Sequence, residues 1–154
     1  MLNPYYVTGF ADGEASFSVT VSPKSQLKIG WEIRPSFSIS QNKASRGVLF
    51  KIKSFFRCGS IRPSRADNTY KYEVRALEDL KNKIIPHFEK YPLHTAKRKD
   101  FKIFKEIVYL MDKREHTTKE GFKRIISLLK DLNPTSKKIY DRKRLEGEVS
   151  EGIV

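Results

Sequence analysis

The sequence is poor in the residues that build disulfide-linked or zinc-bound scaffolds. It has one cysteine, Cys58, so no intrachain disulfide can form and a reducing interior is indicated. Its three histidines, at positions 87, 94 and 116, lack the spacing of a zinc site. No apolar run approaches the roughly 20 residues that a membrane span requires, and the N-terminus lacks the pattern of a secretory signal peptide. These absences predict no membrane-spanning segment and give no sign of an exported protein.

Acidic residues are also scarce relative to basic ones. Lysine and arginine number 31 against 18 acids, which gives a net charge of +13 and a pI near 9.8. A globular chain with this imbalance most often binds a polyanion, so nucleic acid is the leading partner and an anionic membrane surface comes second. A length of 154 residues fits one compact domain.

Two segments with alternating hydrophobicity predict strands, one over "SFSVTVS" at residues 16–22 and one over "WEIRPSFSISQ" at residues 31–41. Two shorter strands are predicted at "CGSIRPS", residues 58–64, and at "TYKYEVRA", residues 69–76. In each strand the apolar side chains share one face, while serine, threonine, lysine, arginine and glutamate share the other. We expect one antiparallel sheet with an apolar inner face and a polar outer face.

Helical spacing of apolar residues surrounds these strands. Asn3 and Pro4 predict the start of a first helix that runs to about Gly13. Further helices are predicted around residues 48–56 and 78–88, followed by a long helix from about residue 97 and a last helix whose capping box is formed by Thr117 and Glu120. The predicted order is αββαββα plus two C-terminal helices, an α+β fold. We expect a single domain over residues 1–133 and a polar, loosely ordered tail over residues 134–154.

The first helix has an unusual end, within "YYVTGFADGEASFSV". Gly9 and Gly13 lie on one side of it, about 6 Å apart along the axis, where missing side chains allow another backbone to approach closely. A tight contact inside the chain, or Gly13 acting as a helix terminator, would also explain them. Glu14 then places a negative charge at the negative end of the helix dipole. A bound cation would remove that conflict, and two such helices side by side would bring two carboxylates together as oxygen ligands suited to magnesium.

The segment "VTGFADGEA" resembles the namesake motif of the LAGLIDADG homing endonucleases. The predicted order of elements is also the order of that family's fold, and the resemblance extends over roughly residues 4 to 133, including "PLHTAKRKDF" downstream. Thr8 and Ala15 depart mildly from the motif. The resemblance implies a site-specific, metal-dependent DNA endonuclease encoded within an intron, and no small-molecule substrate.

The resemblance also assigns roles to individual residues. It implies that Glu14 binds the catalytic Mg²⁺, with the Ala15 carbonyl as a possible further ligand. It implies that Gln41 helps to order water near the scissile phosphate and that Lys97 lines the same pocket, with Lys99 as an alternative. Asp12 corresponds to the motif's first acid, which is more often structural. From spacing alone, Gln41 and Lys97 would pass for ordinary surface residues.

Only one such motif is present, and one acid cannot form a two-carboxylate centre. The resemblance therefore implies a homodimer in which Gly9 and Gly13 pack against their symmetry mates and which reads a near-palindromic double-stranded DNA target. Outward-facing sheet residues would lie in the major groove of each half-site. The candidate DNA-binding residues are Ser18, Thr20, Ser22, Lys24, Lys28, Glu32, Arg34, Ser36, Ser38, Arg62, Ser64, Lys71, Glu73 and Arg75.

Two other functions fit the same residues. One is an intron maturase, which keeps the fold for binding and splicing RNA, and the other is a basic RNA- or DNA-binding protein without catalysis. The family implies an organellar origin, in a mitochondrion or chloroplast, and a gene product made there needs no import signal.

Overall fold

The computed structural model describes residues 1–132 of the chain. The predicted tail over residues 134–154 lies outside the described residues. Within residues 1–132 no helix has both the length and the apolar character needed to cross a membrane.

The predicted α+β fold and its order of elements are confirmed. The helices are α1 (Pro4–Glu14), α2 (Gly47–Phe56), α3 (Leu77–Asp79), α4 (Ile85–Lys90), α5 (Lys97–Asp112) and α6 (Lys119–Leu129), and the strands are β1 (Ala15–Pro23), β2 (Trp31–Asn42), β3 (Ser60–Ser64) and β4 (Thr69–Val74). The four strands form one sheet in the order β1-β2-β4-β3. Among the described residues, 1–17 and 36–98 form a first compact unit, and 18–35 with 99–132 form a second.

The core of the first unit is built around aromatic rings. Phe37 on β2 is fully buried, and its ring centroid lies 5.2 Å from that of Phe17 and 5.5 Å from that of Phe88. The rings of Phe56 and Tyr72 approach it edge-on at 6.1 and 6.4 Å. Edge-to-face and tilted pairs at these distances add attraction to the burial of apolar area, so this cluster fixes α2 and α4 against one face of the sheet.

The register between β2 and β4 keeps the apolar side chains of both strands on one face of the sheet, as the alternation in the sequence predicts. Phe37 pairs with Val74, and Ile39 pairs with Tyr72, and all four of these side chains are buried. The pairs that alternate with them, Ser38 with Glu73 and Ser40 with Lys71, belong to the polar face. A shift of one residue would bury the polar set, so the apolar alternation fixes the register.

The predicted helix over residues 78–88 is interrupted. A π-helical turn, Leu80–Ile84, joins α3 to α4. Pro86, in the first turn of α4, lacks the N–H that a continuous α-helix would use to bond four residues back. The wider turn accommodates this missing bond while Leu80, Ile84 and Ile85 stay buried.

The second unit contains the β1–β2 hairpin loop and the C-terminal helices. The loop is closed by the amide of Lys24, which donates to the carbonyl of Gly30 at 2.8 Å. The predicted apolar stripes of the helices are confirmed, since Phe104 and Val108 of α5 and Phe122 and Ile125 of α6 are fully buried.

The predicted cap of the last helix is displaced by one residue. Thr118 is the N-cap of α6, with an extended backbone and a hydroxyl that accepts from the Gly121 amide. Thr117 instead belongs to a short 3₁₀ turn, and its hydroxyl donates to the carbonyl of Arg114. Thr117, which the sequence pattern favoured as the cap, is therefore the last residue of this turn, and the helix begins one residue later than predicted.

A buried histidine holds α1 to α4. The Thr8 hydroxyl donates to the Tyr91 carbonyl at 3.0 Å, so its oxygen accepts from His87 Nε2, also at 3.0 Å. The rings of Phe55, Phe56 and Phe88 lie within 5.3 Å of the imidazole, centroid to centroid. Burial among them lowers the pKa of His87 from 6.5 to about 4.

Stability should therefore fall on mild acidification. A histidine kept neutral by the fold binds its proton more readily in the unfolded chain, so its contribution is complete above pH 6.5 and is lost as the pH falls toward about 4. The expected loss at the acid end is about 3 kcal/mol. Urea denaturation across this range measures it.

The matched variants are His87→Gln and His94→Gln, because His94 is exposed. His87→Gln should flatten the pH dependence of the free energy of unfolding, whereas His94→Gln should keep the parent slope. Equal slopes for the parent protein and His87→Gln would contradict the assignment.

Candidate active site and nucleic-acid interface

Glu14 is the last residue of α1, and its side chain is exposed. Gln41, near the end of β2, donates from Nε2 to Glu14 Oε2 at 3.1 Å and to the Ser40 carbonyl at 2.9 Å. The structure therefore brings together two of the predicted site residues. Among the described residues Glu14 Oε1 has no hydrogen-bond partner, and a carboxylate oriented in this way can bind a cation.

Lys97 lies against the same helix end. Its ammonium donates to the carbonyls of Ala11 and Asp12 at 3.1 and 3.0 Å. These are among the carbonyl groups that carry the partial negative charge at the C-terminus of a helix. The charge conflict at the end of α1 is thus compensated partly within the chain, by a lysine that stands at the start of α5.

Asp12 forms the reciprocal contact. Its carboxylate accepts from the amides of His94 and Thr95 at 2.7 and 3.1 Å and from the Thr95 hydroxyl at 2.5 Å. Partial burial raises the pKa of Asp12, but the Thr95 and His94 hydrogen bonds and the charge of Lys97 outweigh it, so the pKa lies below its usual value. The ionised carboxylate therefore ties α1 to the segment that leads into α5.

The two motif glycines face open space. A Cβ atom added to Gly9 or to Gly13 would meet nothing within 4 Å. Neither residue has a positive φ, and α1 continues through Gly13 to Glu14. Neither alternative explanation therefore holds within the described residues: no internal contact requires the glycines, and Gly13 does not terminate the helix.

The candidate DNA-binding residues of the second unit lie on the β1–β2 hairpin. Ser22, Lys28 and Arg34 are exposed, and Ser18, Thr20 and Lys24 are half-buried. Glu32 pairs with Arg34 at 2.7 Å and with Lys24 at 3.2 Å. Hydrogen bonds from Arg34 and Lys24 hold the pKa of Glu32 below its usual value. The hairpin thus presents two cations organised by one acid.

The candidates of the first unit differ from expectation in their accessibility. Arg62 and Arg75 are exposed, and Ser64 and Lys71 are half-buried. Ser36, Ser38 and Glu73 lie on the polar face as predicted, yet they are only 7%, 6% and 5% exposed. The carboxylate of Glu73 accepts from the Ser36 hydroxyl and pairs with three basic side chains, those of Arg62, Lys71 and Arg75. In this conformation those three residues are not available to contact a base edge.

The predicted magnesium site has few side-chain donors in the described part of one chain. Within residues 1–132 no group of three or more histidine, cysteine, aspartate or glutamate side chains is placed to hold a metal ion. The Glu14 carboxylate and the Ala15 carbonyl are oxygen donors of the kind that magnesium prefers. They fit the ion chemically, and the two-carboxylate centre expected from the resemblance would need a second acid.

Thr95 is the residue that the sequence analysis missed. It binds Asp12 through both its amide and its hydroxyl, although the two residues are 83 positions apart. Thr95 lies two residues before the first residue of α5. Threonine is common just before a helix, where its side chain binds backbone amides, and this preference was the signal in the sequence that could have indicated Thr95.

A family model described as LAGLIDADG endonuclease matches residues 7–108. The chain belongs to the LAGLIDADG endonuclease family. The resemblance drawn from the motif is thereby confirmed. The matched segment begins inside α1 and ends inside α5, so it includes Glu14, Gln41 and Lys97.

Solved structures agree with this LAGLIDADG assignment. The homing endonuclease I-TnaI superposes with a TM-score of 0.89 at 38% identity, over 96% of this chain and 98% of that one. I-SmaMI, solved with an uncleaved DNA target in the presence of calcium ions, gives a TM-score of 0.85 at 38% identity. That match covers 90% of this chain and 47% of I-SmaMI.

A sequence relative is "Probable intron-encoded endonuclease 2" of Neurospora crassa, 43% identical over 133 residues, or 86% of this chain. This LAGLIDADG chain spans 29% of that protein's length. It spans 25% and 26% of two further relatives, from Neurospora crassa and Podospora anserina.

The Asp12 contact should contribute to stability. We expect Asp12→Asn to lower the free energy of unfolding by about 2 kcal/mol. The amides of His94 and Thr95 and the Thr95 hydroxyl now donate to a charged carboxylate, whereas an asparagine side chain offers them one neutral acceptor oxygen. Chemical denaturation at pH 7 measures the change. Asp131→Asn, at an exposed position, is the control and should leave the midpoint within error. An unchanged midpoint for Asp12→Asn would show that the contact contributes nothing.

Proposed function

We propose that this protein is a site-specific DNA endonuclease that cuts both strands of a long, near-palindromic target as a homodimer, by metal-dependent phosphodiester hydrolysis. The observation that carries the proposal is the end of α1, where an exposed carboxylate, oriented by Gln41, follows directly on a glycine face that no other residue among 1–132 covers. A second copy of that face would supply the missing carboxylate.

The exposed side of α1 supports assembly through this helix. Tyr6, Gly9, Phe10 and Gly13 follow the i, i+3, i+4, i+7 spacing of one helical face, and Tyr6 is 48% exposed. Val7 and Ala11, on the opposite face, are fully buried. An apolar, glycine-bearing face of this kind allows two helices to approach closely. I-TnaI has a chain of nearly the same length, which fits a homing endonuclease built from one such unit per chain.

The residues at the end of α1 would have distinct roles. Glu14 and the Ala15 carbonyl would hold magnesium, and the ion would polarise the scissile phosphate and lower the pKa of an attacking water. Gln41 keeps the Glu14 carboxylate in one orientation and offers a polar group beside it. Lys97 fixes the last turn of α1 through its carbonyls, and its positive charge would lie near the scissile phosphate.

The charge distribution supports DNA as the partner. The net charge of +13 favours association with phosphates. The polar strand faces carry arginine and lysine, and these are the side chain types that most often bind guanine edges in the major groove. I-SmaMI shares this fold and has been solved in complex with DNA. In a two-fold dimer each protomer would read one half-site, with cleavage at the centre.

We also propose that the gene lies within an intron of an organelle genome. Several relatives are named as intron-encoded endonucleases, among them proteins from Neurospora crassa and Mycosarcoma maydis.

Glu14→Gln should abolish cleavage while keeping DNA binding. The substitution retains the shape of the side chain and removes the charge that would hold the metal ion, so we expect the cleavage rate to fall roughly 100-fold or more. The assay is incubation with a plasmid that carries the intron-free insertion site of the host gene, with magnesium or with a chelator. A gel-shift measurement on the same DNA reports binding.

Glu120→Gln is the control, because Glu120 is an exposed glutamate on α6 and the charge change is the same. It should cleave like the parent protein. Binding without cleavage by the parent protein in any divalent metal would refute the endonuclease and favour a maturase or a non-catalytic nucleic-acid-binding protein.

Gly13→Val should produce a folded monomer without cleavage activity. Among residues 1–132 a Cβ atom at this position meets nothing within 4 Å, and valine is at least as favourable as glycine in a helix, so the protomer has no reason to unfold. Light scattering reports the oligomeric state and circular dichroism the fold. Gly47→Val is the matched control, because Gly47 also lies in a helix with open space around it. A normal dimer for Gly13→Val would exclude the α1 interface.

A further inference from the structure

Glu73 is surrounded by donors on the polar face of β4. Its Oε1 accepts from the Ser36 hydroxyl at 2.9 Å and lies 3.3 Å from Arg75 Nε and 3.5 Å from Lys71 Nζ. Its Oε2 accepts from Arg62 at 2.6 Å. One carboxylate thus faces three cations and a hydroxyl, which leaves this cluster with a net charge of +2.

The strand register explains how the cluster can close over the carboxylate. The partners of Glu73 across the sheet are Ser38 on β2 and Ser60 on β3. Both are small, so they leave room above Glu73 for longer side chains from neighbouring positions. Arg62 and Lys71 are themselves directly opposite each other, and the like charges can stay close because the acid lies beside them.

Burial differs sharply between the acid and the bases. The side chain of Glu73 is 5% exposed, whereas those of Arg62, Lys71 and Arg75 are 53%, 38% and 55% exposed. Glutamate can accept a hydrogen bond from the amino group of cytosine, but both oxygens of Glu73 are already occupied and covered. The cations are the groups that a duplex would meet first.

Fixed cations discriminate between bases better than mobile ones. Arginine and lysine have more rotamers to lose than most side chains, and a free cation binds any phosphate by charge alone. A side chain held in place before binding loses less freedom when it contacts a particular base edge. Base discrimination therefore depends on what holds the cation as well as on the cation itself.

We infer that Glu73 is a positioning residue for sequence discrimination, which fixes Arg62, Lys71 and Arg75 for base contacts and withholds them from indiscriminate phosphate binding. This inference rests on the proposed function, since it presumes that the polar face meets duplex DNA. It replaces the expectation that Glu73 itself contacts the target.

The test compares the parent protein with Glu73→Gln on a duplex pool of fully randomised sequence. Glutamine keeps an acceptor for Ser36 and removes the charge that holds the three bases. We expect tighter binding to the pool, and a plot of log affinity against log salt that is steeper by about 1. Sequencing of the bound fraction should show weaker base preference at several positions, with overall discrimination lower on the order of tenfold.

Glu106→Gln controls for net charge. Glu106 pairs with Arg124 on the surface, at 3.1 Å, and its replacement should change neither discrimination nor the salt slope. If Glu73→Gln does not fold, as judged by circular dichroism, Ser36→Ala removes one hydrogen bond from the same carboxylate and should weaken discrimination in the same direction but less.

Two results would overturn the inference. A changed preference at a single base pair, with unchanged affinity for the random pool, would mean that Glu73 contacts a base directly. A lower melting temperature with unchanged discrimination would mean that its role is only structural. If the parent protein itself fails to bind the duplex pool, the proposed function is refuted and the inference falls with it. That outcome is seen before any variant is measured.

Discussion

The end of helix α1 depends on a pair of reciprocal contacts. Lys97 donates to two of the helix's last carbonyls, and Asp12 accepts from the amides of the segment that precedes α5. Lys97 places a full positive charge against the partial negative charge at the C-terminus of α1, and the charge of Asp12 strengthens the hydrogen bonds that it accepts from the backbone amides. Because Glu14 is the next residue but one after Asp12, these contacts fix the position of its carboxylate.

Acidic residues have a second role on the polar strand faces. Glu32 in the second unit and Glu73 in the first each hold more than one basic side chain. A surface of free lysines and arginines would bind polyanions strongly but with little selectivity. Placing one acid among several bases keeps a positive surface while limiting the conformations of the side chains that form it.

Alternation along the chain predicted the sheet because each strand has one buried face, as Phe37 and Ile39 show. The contacts of the candidate site could not be predicted from spacing, since Gln41 and Lys97 are 27 and 86 positions from the atoms that they bind. Only the family resemblance selected them, and their catalytic roles stay predictions. The burial of Glu73 depends on its neighbours on the two adjacent strands, where Ser38 and Ser60 are its partners. The pattern along β4 alone does not show which residues these neighbours are.

The uncovered glycines of α1 have a thermodynamic consequence. Gly9 and Gly13 each cost the helix roughly 1 kcal/mol relative to alanine, and within the described residues no close packing compensates this cost. In the proposed dimer the compensation comes from the second copy, so folding and association become linked equilibria. By mass action the melting temperature of such a protein rises with its concentration, and at low concentration a fraction of the chains would be unassembled and inactive.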